Sequence, residues 1–244
     1  MKIRFVNKCE STNRLLMQSL NDYADDELPF ALWTDNQTAG RGQRGRIWEC
    51  PPGEALAASF LYAHRDFPVE QIYTLNKWVS LAVCELLDSY LPTEQLRIKW
   101  PNDLLIDGRK ICGILIENLL SGRQVARSVI GIGLNVNQKG FDGDYQRQPT
   151  SLRFEMGQHY DLQQLMRHLA DVLHRTYQRL LDDPEAIEQA YRQRLFLRDE
   201  PCEFRLTHTA LHGRIRDVDA QGRLMVESQG TVQYFSHGEI AFPR

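Results

Sequence analysis

Cysteine is sparse and unpaired in this chain of 244 residues. Cys9, Cys50, Cys84, Cys112 and Cys202 lie far apart, with no Cys-x-x-Cys pair and no histidine at metal-ligand spacing. A disulfide scaffold is excluded, no zinc motif is present, and a reducing compartment fits best. No apolar run approaches the roughly 18 residues of a membrane helix. Met1–Lys8 lacks the apolar core of a signal peptide, so a cytoplasmic location is expected and no membrane partner. Nor does one sign of charge dominate: 29 Lys and Arg face 32 Asp and Glu, a formal −3. Bulk attraction to nucleic acid or anionic lipid is therefore not expected, and any anion site must be a local cluster. Internal repeats and low-complexity tracts are absent.

What is present is ordinary globular composition, 42% hydrophobic and 25% charged, long enough for one large domain with a small companion. A strand over 2–8 leads to a helix capped by Ser11 or Thr12, with Leu15, Leu16, Leu20 and Tyr23 on its apolar face. A strand over Phe30–Thr34 precedes a polar loop, Asp35–Gly53. Leu56–Tyr62 reads as a buried strand and Val69–Leu91 as a helix stopped by Pro92. Leu96–Trp100, Leu104–Ile106, Ile111–Leu119 and Val125–Val136 read as strands, with Asp107-Gly108 and Ser121-Gly122 as turns. Asp161 caps a helix that carries His168 and His174 off any shared ligand face, and another helix follows Pro184. From Leu197 onward, four short alternating stretches predict a small β-barrel, with six basic and seven acidic side chains and hence no charge stripe. Strands and helices do not alternate as βαβ units, so the fold class is α+β with a mixed, mainly antiparallel sheet and flanking helices. Residues 1–196 form the expected large domain and 197–244 the small one.

Three clusters carry chemistry. Gly40-Arg41-Gly42-Gln43-Arg44-Gly45-Arg46 puts three guanidiniums and three glycines in seven residues. Glycine lets backbone N–H groups approach an anion, and Arg supplies a forked, permanent charge. The stretch matches Gly-x-Gly-x-x-Gly, but Pro51-Pro52 forbids the helix a dinucleotide loop must open. Arg46-Ile47 stands where a P-loop needs Lys-Ser or Lys-Thr. In isolation, a solvated basic turn accounts for it as well. Lys99-Trp100-Pro101-Asn102-Asp103 sets a lysine at a strand end, where it can neutralise phosphate charge or simply face solvent, and Lys110 is a second candidate on the same hairpin. Gly131-Ile132-Gly133-Leu134-Asn135 alternates glycine within an apolar strand, which signals a ligand against the backbone or a bulge.

In this order, Ser11-Thr12-Asn13, Gln37-Thr38-Ala39-Gly40-Arg41-Gly42, Lys99-Trp100-Pro101-Asn102-Asp103 and Gly131-Ile132-Gly133-Leu134-Asn135 resemble the biotin protein ligases over nearly the whole chain. The resemblance implies a class II synthetase-like catalytic domain with a C-terminal SH3-like β-barrel ending near Gly238-Glu239-Ile240. It implies a ligase that joins biotin to ATP, with Mg²⁺, and passes the biotinyl group to one lysine of a biotin carboxyl carrier domain. Biotin contacts would fall on Ser11, Thr12, Asn13, Gln37, Arg41, Gly42, Gln43, Lys99, Gly131 and Gly133. ATP contacts would fall on Arg41, Arg44, Arg46, Trp48 and Asn135. Lys99 would bridge the biotin carboxylate and the α-phosphate, Arg41 would act with it in catalysis, and the Gly40–Arg46 loop would order over the intermediate.

Two departures stand out. Gln43 occupies a position where a bacterial relative carries Arg, which leaves it a hydrogen-bonding role. The Ser11-Thr12-Asn13 motif comes too early for an N-terminal winged-helix module, so a ligase without DNA binding is implied. A homodimer is compatible with an exposed strand of the central sheet. The alternatives are a lipoate or octanoate protein ligase, disfavoured by Gln37, the loop and the terminal barrel, and a barrel-based binding module, disfavoured by balanced charge and few aromatics beyond Tyr234 and Phe235.

Overall fold

The computed structural model describes residues 1–143, 145 and 147–243. In chain order the elements are β1 (Lys2–Phe5), α1 (Thr12–Gln18), β2 (Phe30–Thr34), β3 (Gln37–Arg41), β4 (Ile47–Cys50), β5 (Ala55–Ala63), α2 (Tyr73–Asp88), β6 (Leu96–Lys99), β7 (Asp103–Ile106), β8 (Arg109–Ser121), β9 (Gln124–Asn135), α3 (Leu152–Met156), α4 (Leu162–Asp182), α5 (Pro184–Arg194), β10 (Pro201–Arg205), β11 (Ala210–Val218), β12 (Leu224–Ser228) and β13 (Thr231–Phe235). Seven strands make one sheet in the order β1-β2-β5-β9-β8-β7-β6. Only β1 with β2 is parallel; the other five pairings are antiparallel. The expected α+β class is what the chain adopts.

Local chemistry explains the boundaries. Ser11 caps α1 by accepting from the Arg14 N–H, and Asp161 caps α4 by accepting from Gln163 and Gln164. The helix expected over Val69–Leu91 is shorter: Val69–Gln71 is a 3₁₀ turn after Pro68, and α2 ends at Asp88. Pro92 disfavours helical backbone just before it. At Asp107-Gly108 both residues have positive φ, 46° and 77°, the geometry of a tight hairpin between β7 and β8. The expected loop over Asp35–Gly53 is instead the β3–β4 hairpin, tied to the α1 entry where Thr38 donates to the Cys9 carbonyl and Ala39 to the Glu10 carbonyl.

One face of the large sheet carries Leu56, Phe60, Ile130, Ile132, Leu134, Cys112 and Ile114 against α2 and α4. Alternation puts the neighbouring residues on the opposite face, where α1 covers Phe30, Leu32, Leu61 and Val129 with Leu16. β10 to β13 form a four-stranded antiparallel sheet, and Ala241 bridges back to Arg205. Its Phe204, Ile215, Leu224 and Val226 join the core of α2 and α4. The attachment has a polar rivet: buried Lys77 on α2 pairs with Glu188 on α5 at 2.5 Å and donates to the Val218 carbonyl of β11 at 2.7 Å. A lysine this deep requires such partners, because an uncompensated buried charge costs several kcal/mol.

His64, at the end of β5, is also buried. One ring nitrogen meets the Tyr177 hydroxyl at 2.7 Å and the other the Ser128 hydroxyl at 2.8 Å, and Ser128 donates onward to Asn118. Burial pushes its pKa from 6.5 down to about 4. Folding therefore favours the neutral ring, and the stability this contributes is complete above pH 6.5 and lost as pH falls toward 4. At about 1.4 kcal/mol per pKa unit, roughly 2 kcal/mol should disappear between pH 7.5 and 5. Urea unfolding across that range should show the loss, and His64→Gln, though less stable at pH 7.5, should show a flatter pH dependence; an identical slope would dismiss His64 as its source.

Candidate functional site

A row of small residues crosses the centre of the sheet on the face opposite α2 and α4. Ala57 of β5 pairs with Gly133 of β9, and Gly133 with Gly113 of β8. One pleat along, Ser59 pairs with Gly131. With almost nothing projecting from the floor, a cleft opens there, walled by Ser11, Thr12 and Asn13 of α1 and its cap, Gln37, Arg41, Gly42, Gln43, Arg46 and Trp48 of the hairpin, Asn102, Asp103 and Lys110. The glycines are required by their neighbours. A Cβ on Gly131 would run into the Asn13 amide, and one on Gly133 into the Trp48 indole.

Polar groups at the α1 end are held in a fixed pattern. Gln37 accepts from the Thr12 N–H at 2.9 Å. Asn13 donates to the Leu115 carbonyl and to Glu117, each at 3.1 Å. Ser59, wholly buried beneath them, lies 2.7 Å from the Thr12 hydroxyl and 2.5 Å from the Asn13 amide oxygen. Trp48 Nε1 and Gln43 Oε1 are buried polar atoms lining this cleft without a hydrogen-bond partner among the described residues. Buried polar atoms rarely go unsatisfied, so the wall fits a ligand with both hydrogen-bonding and apolar surface.

A second cavity adjoins the first and shares Ile47, Trp48 and Lys110 with it. Asn135, Glu49, Tyr145 and Arg147 line it. Lys110 is thus at the junction, its ammonium 2.6 Å from Asp103 and 5.5 Å from the Trp48 ring centroid. Asn135 is fixed by donating to the Thr150 carbonyl at 3.0 Å and accepting from Gln138 at 3.1 Å.

The expected lysine lies elsewhere. Lys99 pairs in register with Asp103, which pairs with Gly113, so it is two strands out from the cleft floor, roughly 10 Å at the usual strand spacing. Its ammonium sits 4.8 Å from the Phe242 ring centroid and it lines neither cavity. Burial pushes its pKa down, Asp103 pulls it up, and Arg147, Lys110 and Arg46 push it down further.

Of the other expected residues, Ser11, Thr12, Asn13, Gln37, Arg41, Gly42, Gln43, Gly131 and Gly133 line the first cleft, Asn135 lines the second, and Trp48 lines both. Arg46 lines the first. Arg44 lines neither: it adopts left-handed backbone at the hairpin tip, φ 54°, and its guanidinium donates to the His237 carbonyl. Ser59, Glu117, Arg147 and His237 were not anticipated. Only Ser59 left a signal, a hydroxyl inside an otherwise apolar strand.

Two adjoining chambers under a cationic hairpin suit a protein that brings two ligands, at least one anionic, into contact, in the α+β class. Residues 6–135 match the Biotin/lipoate A/B protein ligase family, and residues 199–242 the Biotin protein ligase C terminal domain. The chain belongs to the biotin/lipoate A/B protein ligase family. It is 31% identical over 212 residues to a biotin--[acetyl-CoA-carboxylase] ligase of Paracoccus denitrificans, covering 84% of this chain and 87% of that protein. It is 28% identical to the bifunctional ligase/repressor BirA of Escherichia coli over 95% of this chain and 71% of that protein. The fold matches the Aquifex aeolicus biotin protein ligase solved with biotin and ATP, TM-score 0.79 at 23% identity, over 100% of this chain and 99% of that one.

Gly133→Ala should displace the Trp48 indole and strain the sheet by about 1–3 kcal/mol. Tryptophan emission should shift to the red and Tm fall by several degrees. Gly113→Ala, whose Cβ would meet Trp48 at 3.1 Å, should do so more weakly. Equal spectra for wild type and Gly133→Ala would refute this packing.

Proposed function

We propose that this protein is a biotin protein ligase: it activates biotin with ATP to biotinyl-5′-AMP, releasing pyrophosphate, and transfers the biotinyl group to a lysine of a biotin carboxyl carrier domain. The observation that carries the reading is Lys110 at the meeting point of a polar pocket, which Arg41 and Arg46 also line, and a second chamber. The match of residues 199–242 to the C-terminal domain of biotin ligases supports biotin over lipoate.

In this reading the Ser11–Asn13 end and Gln37 take the ureido ring, whose alternating donors and acceptors suit hydroxyl and amide groups. The Gly131 and Gly133 backbone and the Trp48 face cover the apolar part. The nucleotide occupies the chamber lined by Asn135 and Arg147. A carboxylate oxygen attacks the α-phosphorus, the bond to the β-phosphate breaks, and pyrophosphate leaves with the electron pair. Lys110 then lies between carboxylate and α-phosphate, the role the sequence had suggested for Lys99. Its charge, with those of Arg41 and Arg46, stabilises the transition state as negative charge builds on the phosphate. Among the described residues no cluster of three His, Cys, Asp or Glu side chains is arranged to hold a metal, and Mg²⁺ is assigned to the phosphates of the incoming nucleotide. Residues 1–196 supply the chemistry, and 197–244 close the far side.

The direct test is incubation with ATP, Mg²⁺, biotin and an apo carrier domain, with mass spectrometry expected to show one biotinyl addition on a single lysine. Stabilisation by lipoate and not by biotin in a thermal shift would reverse the assignment. Lys110→Ala should slow biotin-dependent ATP–pyrophosphate exchange by about 100-fold or more, whereas Lys99→Ala should slow it by less than about tenfold. The opposite ranking would return the bridging role to Lys99.

A further inference from the structure

A third depression, about 880 Å³ and open to solvent, lies outside the hairpin between Arg41–Gly45 and Leu115–Glu117 of β8. His237 lines both this groove and the first cleft. Its backbone is latched to the hairpin through Arg44, and its ring packs edge-on against Trp100 at 5.8 Å, while the Trp100 indole N–H donates to the Gly222 carbonyl. The ring is thus held in place by β-module and sheet together, yet neither ring nitrogen is hydrogen-bonded to any described residue.

Given the ligase reading above, on which this inference rests, we propose that His237 accepts the proton from the carrier lysine as that amine attacks the biotinyl-adenylate, with the groove as its approach. Two protons must leave the lysine ammonium. The first passes to solvent in the groove, where Glu117 supplies a carboxylate. As the amine nitrogen bonds to the acyl carbon, the second passes to the imidazole, and the bond from acyl carbon to phosphate oxygen breaks with its electron pair on AMP. The imidazolium returns its proton to water. A base for this step must be neutral at working pH. Burial holds the His237 pKa below the ordinary 6.5, and Arg44 and Arg46 from the hairpin and Lys99 from β6 lower it further against the opposing pull of Asp103 from β7. Arg41 and Glu117 are the other charged groups of the groove.

His237→Gln keeps the backbone latch and removes the base. With biotin, ATP and Mg²⁺, capture of the adenylate by hydroxylamine, which needs no such base, should stay within about threefold of wild type. Single-turnover transfer to the apo carrier should fall by about 100-fold. In the wild type the transfer rate should decline as pH drops through the imidazole pKa, and the variant should lack that limb. Arg44→Gln, by removing a cation, should move the limb to higher pH. Unchanged transfer in His237→Gln with normal hydroxamate would overturn the inference and leave the ligase reading intact. Parallel loss of both activities would reduce His237 to a wall residue. Absence of hydroxamate in the wild type would sink both.

Discussion

The cleft depends on a gap in side chains. Across three strands of an otherwise tightly filled sheet, Ala57, Gly133 and Gly113 stand in one row, and Gly131 stands one pleat away. Larger residues there would fill the space with methyl groups and place them against Trp48 and Asn13. The same strands carry leucine, isoleucine and phenylalanine on the other face, so the sheet is anchored by its packing on α2 and α4 while the cleft floor at Ala57, Gly113, Gly131 and Gly133 is left almost without side chains. Glycine in a strand weakens it, and the burial on the far side offsets that weakness. Stability and site are thus divided between the two faces of the same residues' neighbours.

Electrostatics decides how the chambers can be used. Two unit anions at about 4 Å repel by about 4 kcal/mol at an effective dielectric of 20, enough to suppress joint occupancy roughly a thousandfold. In the proposed reading Lys110 answers this, and it does not stand alone: Asp103 pairs with it at 2.6 Å. The carboxylate keeps the ammonium compensated and aimed before ligands arrive, and a phosphate can then compete for the same charge. Lys99, further out and more deeply desolvated, belongs to the contact between the sheet and the terminal module through Phe242.

Much of the fold was legible because its signals are local. Ser11 and Asp161 cap helices through their own side chains, and Asp107-Gly108 turns because of its own backbone preferences. The hairpin of β3 and β4 was not legible, since Gly is a poor strand former and its support comes from Cys9 and Glu10, about thirty residues away. The places of the two lysines were not legible for a related reason. Both stand at strand ends in sequence, but a register shift between Leu104 and Leu105 rephases β8 against β7, and strand order makes β6 the sheet edge. Neither fact is written in periodicity. The polar wall of the cleft was found because its residue types are chemically demanding; Arg147 and His237 were missed because only tertiary folding brings them near.

The terminal module changes what the hairpin can do. A glycine-rich turn keeps conformational freedom, and Gly45, at positive φ, supplies some of it here. The Arg44 contact to the His237 carbonyl opposes that freedom from the other module, which is itself fastened by Lys77 to α2 and α5. Displacing the hairpin tip therefore means breaking this charge-assisted hydrogen bond among other contacts. A tie of that kind, made from one module to the other, suits a site that must admit two small molecules and then shield a hydrolysable intermediate from water.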